Sequence, residues 1–180
     1  MYLVPLAHQP IATLTNSSLW GPVASIAAAA IAAAVAIVVF ALRAAAAAQD
    51  RKREMCARAL ADALAWLELP YRIRRRKDDS PETLALLAGH AHSLQEKLLF
   101  HSAWLCIELP STAPLYHTLL QSVRAIAQEP LKEAWCSPAI AHPEQMNLGS
   151  LVPPPPADQI TAFCQAVRRD LTLLHWCKGP

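Results

Sequence analysis

The first forty-two residues contain no lysine, arginine, aspartate or glutamate; Arg43 is the first formal charge. Such a stretch excludes a basic nucleic-acid-binding arm at the start of the chain, and it lacks the basic n-region of a secretory signal. Glycine is scarce as well, with four residues against fifteen prolines. So few glycines argue against an all-β fold, which needs them in its turns, and against a glycine-rich phosphate cradle. Charged residues make up only 17% of the chain and aromatics 6%, while 54% is hydrophobic. That balance excludes a wholly disordered polypeptide. At 180 residues there is room for one sizeable domain. The formal net charge of +2 says little about partners, because it averages over a very uneven distribution.

What fills the charge-free region is apolar. Residues 23–42 read VASIAAAAIAAAVAIVVFAL, with Ser25 the only polar side chain. Twenty residues of helix reach about 30 Å, the thickness of a bilayer's hydrocarbon core. Trp20 precedes the run where an indole suits the headgroup interface, and Pro22 suits a first helical turn. A transmembrane helix over residues 20–42 is therefore expected, after a short extracytoplasmic tail over 1–19. A buried alanine-rich core helix and a cleaved signal peptide are the competing readings. A soluble helix of this length normally carries a polar face. Positive charge follows on the C-terminal side only, at Arg43, Arg51, Lys52 and Arg53. The positive-inside rule then puts the N-terminus outside and residues 43–180 in the cytoplasm.

Ala24, Ala28, Ala32 and Ala36 fall four apart. Small residues at that spacing let two helix backbones approach closely in lipid, so this ridge is the candidate helix–helix interface. The competing explanation is compositional bias toward alanine.

Beyond Arg43 the pattern is helical throughout. Cys56, Leu60, Ala63, Leu64 and Leu67 recur at helical spacing, and Pro70 is expected to end that helix. Residues 71–79, YRIRRRKDD, read as a loop. Ser80-Pro81-Glu82 carries a capping serine, a proline for the first turn and an acidic residue behind it, which starts a helix reaching about Leu109. Leu84, Leu87, Ala91, Leu94, Leu98 and Leu105 form its seam. A third helix is expected from about Pro114 to Gln128, with Leu115, Leu119, Val123 and Ile126 on one side and Pro130 breaking or kinking it before a short piece ending near Cys136. Residues 137–157, with Pro153 to Pro156 in a row, read as a linker of polyproline character. Asp158 is expected to cap a final helix over 158–180 that packs on the bundle formed by 43–136. The fold class is thus all-α: one transmembrane helix continuing into an antiparallel cytoplasmic bundle of about four helices.

Chemistry is thinly signalled. Arg72, Arg74, Arg75, Arg76 and Lys77 could meet an anionic partner, but Asp78, Asp79 and Glu82 offset them and only Tyr71 offers an aromatic face. A solvated loop is the simpler reading, and nucleic acid is not an expected partner. His90, His92 and His101 cannot share one ion on a single helix, because the first two point to nearly opposite sides and the third lies about 16 Å further on. Five cysteines without a C-x-x-C pair read as reduced, buried apolar residues. No catalytic, metal or cofactor-binding residue is expected, and no small-molecule substrate is evident. The expected function is a non-enzymatic, single-pass membrane-anchored module for protein interaction or homo-oligomeric assembly at the inner membrane face. Two alternatives are a membrane-perturbing effector clustering through the alanine-rich span, and a secreted bundle if residues 1–48 are a signal peptide.

Overall fold

The computed structural model describes residues 20–142 and 153–172; for residues 20–24 only the backbone is described. Among these residues the chain is all-helical, with four helices and no strand: α1 (Trp20–Arg74), α2 (Pro81–Glu108), α3 (Ala113–Cys136) and α4 (Ala157–Asp170). It divides into two compact units, Met1–Ala47 and Ala48–Pro180.

In the first unit the helix is long and apolar enough to cross a membrane, and none of its most apolar window is buried inside the fold. Ile26, Ile31, Ile37, Phe40 and Leu42 are all exposed.

In the second unit α1 offers a narrow buried face of small residues, Cys56, Ala59 and Ala63, followed by Leu67. Their size leaves room for large side chains from elsewhere. Leu98 and Leu105 of α2, Tyr116 and Leu120 of α3 and Phe163 of α4 gather on that face into one core cluster. The Tyr116 and Phe163 rings lie 5.7 Å apart at a tilted angle, within the range that favours aromatic pairs. The Tyr116 hydroxyl reaches the Ala59 carbonyl at 3.3 Å, so this buried donor is not orphaned. A second cluster joins Leu67 to Leu119, Val123 and Ala127. The buried face of α3 thus turns on Tyr116, Leu119, Leu120, Val123 and Ala127, and Leu115 and Ile126 sit at its margin.

Pro70 was expected to end its helix and Pro130 to break or kink its own, and both helices continue through them. Pro70 lies inside α1 and Pro130 inside α3. A proline forfeits one backbone hydrogen bond and clashes with the turn before it, at about 3 kcal/mol or more. Both rings are buried, Pro70 between the fully buried Leu69 and Ile73, so apolar packing offsets that cost. Tyr71 to Arg74 consequently belong to α1 and not to a loop.

The start of α2 follows its sequence closely. Ser80 is the N-cap, its Oγ accepts from the Thr83 N–H at 3.3 Å, and Pro81 occupies the first turn. Asp78 in turn accepts from the Ser80 N–H at 3.0 Å and from its hydroxyl at 2.6 Å. The start of α4 departs from expectation. Pro156 is the N-cap residue, with no side-chain capping bond, and Asp158 sits in the first turn. There its charge complements the helix dipole without capping a particular N–H. The helix ends at Asp170, and residues 173–180 of the expected final helix lie outside the described residues.

Where α1 and α3 end, one side chain serves both. Arg76 is 6% exposed. Its Nη1 donates to the carbonyls of Ile73 and Ala134, both at 2.9 Å, and its Nη2 donates to the Ser137 carbonyl. Its Nε donates to Asp79 at 2.6 Å. Ile73 lies in the last turn of α1, Ala134 in the last turn of α3, and Ser137 is the C-cap of α3. Such terminal carbonyls have no partner within their own helix, and a cation beside them is favoured by the dipole.

Replacing Arg76 with alanine should destabilise the folded protein by about 2–4 kcal/mol, since hydrogen bonds to a charged group contribute roughly 1.5–3 kcal/mol each and water can re-satisfy part of the loss. Arg76→Lys should recover less than half, because an ammonium cannot span the same acceptors. Lys77→Ala, next door and exposed, should stay within about 0.5 kcal/mol of wild type. Urea unfolding followed by circular dichroism on the full chain measures all three.

Candidate functional site

The arginine-rich run does not form one open cationic surface. Arg76 is consumed by the helix ends. Arg74 donates from Nη1 to the Pro138 carbonyl at 2.6 Å, adding a second link between the end of α1 and the segment after α3. Arg75 lies over the Tyr71 ring, 5.7 Å from its centre, in cation–π range. Arg72 approaches His90 of α2 at 3.0 Å. A guanidinium only donates, so His90 Nε2 accepts there. Lys77 is exposed, with Asp78 and Asp79 directly after it. Arg72 and Arg74 lie in the last turn of α1, while Arg75, Arg76 and Lys77 follow it.

The acidic residues that follow are structural. The Arg76 guanidinium and then the Ala139 N–H, at 3.2 Å, hold the Asp79 carboxyl below the usual carboxylate range. Asp78 is lowered chiefly by the Ser80 hydroxyl, then by Thr83 and the Ser80 N–H. Residues 137–140 are thereby laid against residues 76–79, with the Ile140 N–H donating to the Arg76 carbonyl at 3.3 Å.

Ala28, Ala32 and Ala36 are exposed along α1, and Ala24 is helical with its side chain outside the described residues. They share this exposure with the large apolar residues around them. A second exposed apolar surface, which the sequence did not single out, lies on α2: Leu86 and Ile107 are 76% and 77% exposed, and Leu99 and Phe100 also face outward. The seam residues of α2 define its buried side, and the count of leucines in excess of that seam was the signal available.

The histidines separate as expected from their spacing. His101 is buried and its Nε2 lies 2.8 Å from Asp62 of α1, while its Nδ1 is buried without a partner. His92 is exposed beside Glu96. No group of three metal-ligating side chains occurs among the described residues. The cysteines are less uniform than expected. Cys56 is buried, and burial, reinforced by Asp170 and opposed by Lys52, pushes its thiol up to about 11. Cys106 and Cys136 are exposed and Cys164 is half-buried. Cys106 and Cys136 are exposed on α2 and α3, which their apolar neighbours in sequence concealed. Cys106 also lies 3.9 Å from His117, each a few residues from the turn between α2 and α3. Cys177 lies outside the described residues.

The depressed carboxyls set an acid limit. Asp78 and Asp79 bind a proton less readily folded than unfolded, so their contribution is complete above the unfolded value near 3.9 and is lost as pH falls through the lower folded values. Stability measured by denaturant unfolding should fall below about pH 4, and Asp79→Asn should flatten that acid-side decline.

Compared with known proteins, the chain matches no family model, no curated protein and no solved structure.

Proposed function

We propose that this chain is a single-pass membrane-anchored helical module that assembles with other proteins, in the first place with copies of itself, at the inner face of a membrane. Its role is binding and not catalysis. The observation that carries the reading is the apolar window of α1, which is exposed along its whole length. An apolar face of this size left uncovered in water would be a liability, and lipid is the solvent it fits. Ala28, Ala32 and Ala36 remain free on that helix for a second span. Lipid gives no hydrophobic drive for helix association, so close backbone packing would have to supply it.

The cytoplasmic orientation of residues 43–180 is supported by Arg43, Arg51, Lys52 and Arg53, all on the C-terminal side of the window. An antiparallel pairing of α1 with α2 is supported by three links. Lys52 meets Glu108 at 2.9 Å, Asp62 meets His101 at 2.8 Å and Arg72 meets His90 at 3.0 Å, so numbers rise along one helix as they fall along the other. This leaves the outward apolar residues of α2 as the surface for a protein contact.

Carbonate washing of membranes from expressing cells should leave the full-length protein in the pellet, and external protease on spheroplasts should spare a C-terminal tag. Full-length protein in the supernatant would contradict anchoring, and loss of the tag would reverse the orientation. Within the membrane, Ala28→Leu with Ala32→Leu should weaken self-association at least about tenfold, or ~1.4 kcal/mol. Val35→Leu with Val39→Leu should change little. A membrane two-hybrid assay reads both, and equal effects would assign any oligomer to the second unit.

A further inference from the structure

Between α1 and α4, wholly within the second unit, runs a groove of about 230 Å³. Cys56 and Leu60 of α1 and Phe163 and Val167 of α4 form its apolar walls, and its charged lining is two guanidiniums, Arg53 and Arg168. The two belong to the same end. Cys56 of α1 shares a core cluster with Leu171 at the end of α4, while Leu67 of α1 shares the other with Ile160 at its start, so the two helices run in opposite senses. Arg53 precedes Cys56 on α1 and Arg168 follows Val167 on α4, and Leu60 and Phe163 lie further along.

Among the described residues the charges there are not all paired. Arg53 has an exposed partner, Asp50, at 3.1 Å, whereas Arg168 makes no ion pair among the described residues. The nearby acid that could repel an anion is already engaged: Asp170 accepts from the hydroxyls of Ser111 and, at 2.6 Å, of the fully buried Thr112. An apolar slot with two cations at one end matches a molecule with the complementary division. The volume falls below the roughly 300–1,000 Å³ of pockets for drug-sized ligands, which suits a single slim chain.

We propose that this groove binds one single-chain anionic amphiphile, its alkyl tail between α1 and α4 and its carboxylate or phosphate head on Arg53 and Arg168. The chemistry is shared by a free fatty acid, an alkyl phosphate and one chain of an anionic phospholipid. The site is independent of the membrane reading, since it uses no residue before Arg53.

Cys164 lines the groove and is half-buried, which makes it a reporter; Cys106 and Cys136 are exposed, line no part of the groove and serve as internal controls. The full chain in nanodiscs of phosphatidylcholine is alkylated with N-ethylmaleimide, and the rate at each cysteine is read by mass spectrometry. Dodecanoate and dodecyl phosphate are the probes, with dodecanol as the uncharged counterpart. Bound ligand should slow Cys164 by about tenfold at ten times the dissociation constant and leave Cys106 and Cys136 unchanged. Arg53→Gln with Arg168→Gln should abolish the protection when each protein is compared with its own ligand-free rate. Protection in phosphatidylglycerol nanodiscs without added probe would identify bilayer lipid as the source; protection only by the added anions would identify a free amphiphile. Equal protection by dodecanol, equal slowing of all three cysteines, or an unprotected Cys164 would overturn the proposal.

Discussion

The second unit depends on how two helices stop. An α-helix leaves its last carbonyls unpaired, and burying such groups costs about 1–3 kcal/mol each. In this chain α1 and α3 end side by side, which doubles the demand at one place. Arg76 meets it by spending four donor contacts on Ile73, Ala134, Ser137 and Asp79. Lysine could not do this, because only a guanidinium presents donors in a rigid planar fork. Burying the cation costs several kcal/mol in lost hydration, and the arrangement is favourable only because nearly every N–H has an acceptor. The same contacts fix the path of the chain. Asp79 also holds the Ala139 N–H, so the exit from α3 is pinned beside the entry to α2, and Ser80 then caps α2 a single residue later.

Away from this latch, the packing is a matter of matching sizes. Cys56, Ala59 and Ala63 make α1 thin enough for Tyr116, Leu98 and Phe163 to converge on it. Asp170, at the end of α4, instead accepts hydrogen bonds from the start of α3. A carboxylate at a helix C-terminus opposes the dipole, and the hydroxyls of Ser111 and Thr112 compensate it. Thr112 therefore gives its side chain to α4 and does not cap α3, whose start carries no side-chain capping bond. The result is a unit whose apolar centre is made by side chains and whose helix ends are joined by polar ones, Arg76 and Asp79 at one place and Asp170, Ser111 and Thr112 at another. The first unit has no such internal support. Among the described residues its apolar side chains face outward.

Local signals in the sequence translate well where the chemistry is local. Ser80-Pro81-Glu82 specifies a helix start with side chains within three residues, and the all-helical class follows from periodicity and scarce glycine. The failures are tertiary. Pro70 and Pro130 read as breaks because the penalty is intrinsic to proline, whereas the burial that offsets it depends on residues far along the chain. Arg76 read as one cation among five, since nothing nearby in sequence reveals that the end of α3, about sixty residues later, supplies two of its acceptors. Asp62 and His101 are likewise 39 residues apart. The groove between α1 and α4 was illegible for the same reason. Its arginines lie on helices separated by two others, and only the fold places them at one end.

Amide hydrogen exchange of the full chain in bilayer nanodiscs tests the central claim most directly. An alanine-rich helix without tertiary packing opens readily in water, because helix stability in isolation is marginal. The same helix in hydrocarbon keeps every backbone hydrogen bond, because no water is present to replace one. The account predicts that amides in the apolar window over residues 25–42 stay protected for hours, as well as or better than those of the second unit's buried helices. Exchange of that window within seconds to minutes, while the second unit remains protected, would contradict it and remove residues 25–42 from the membrane.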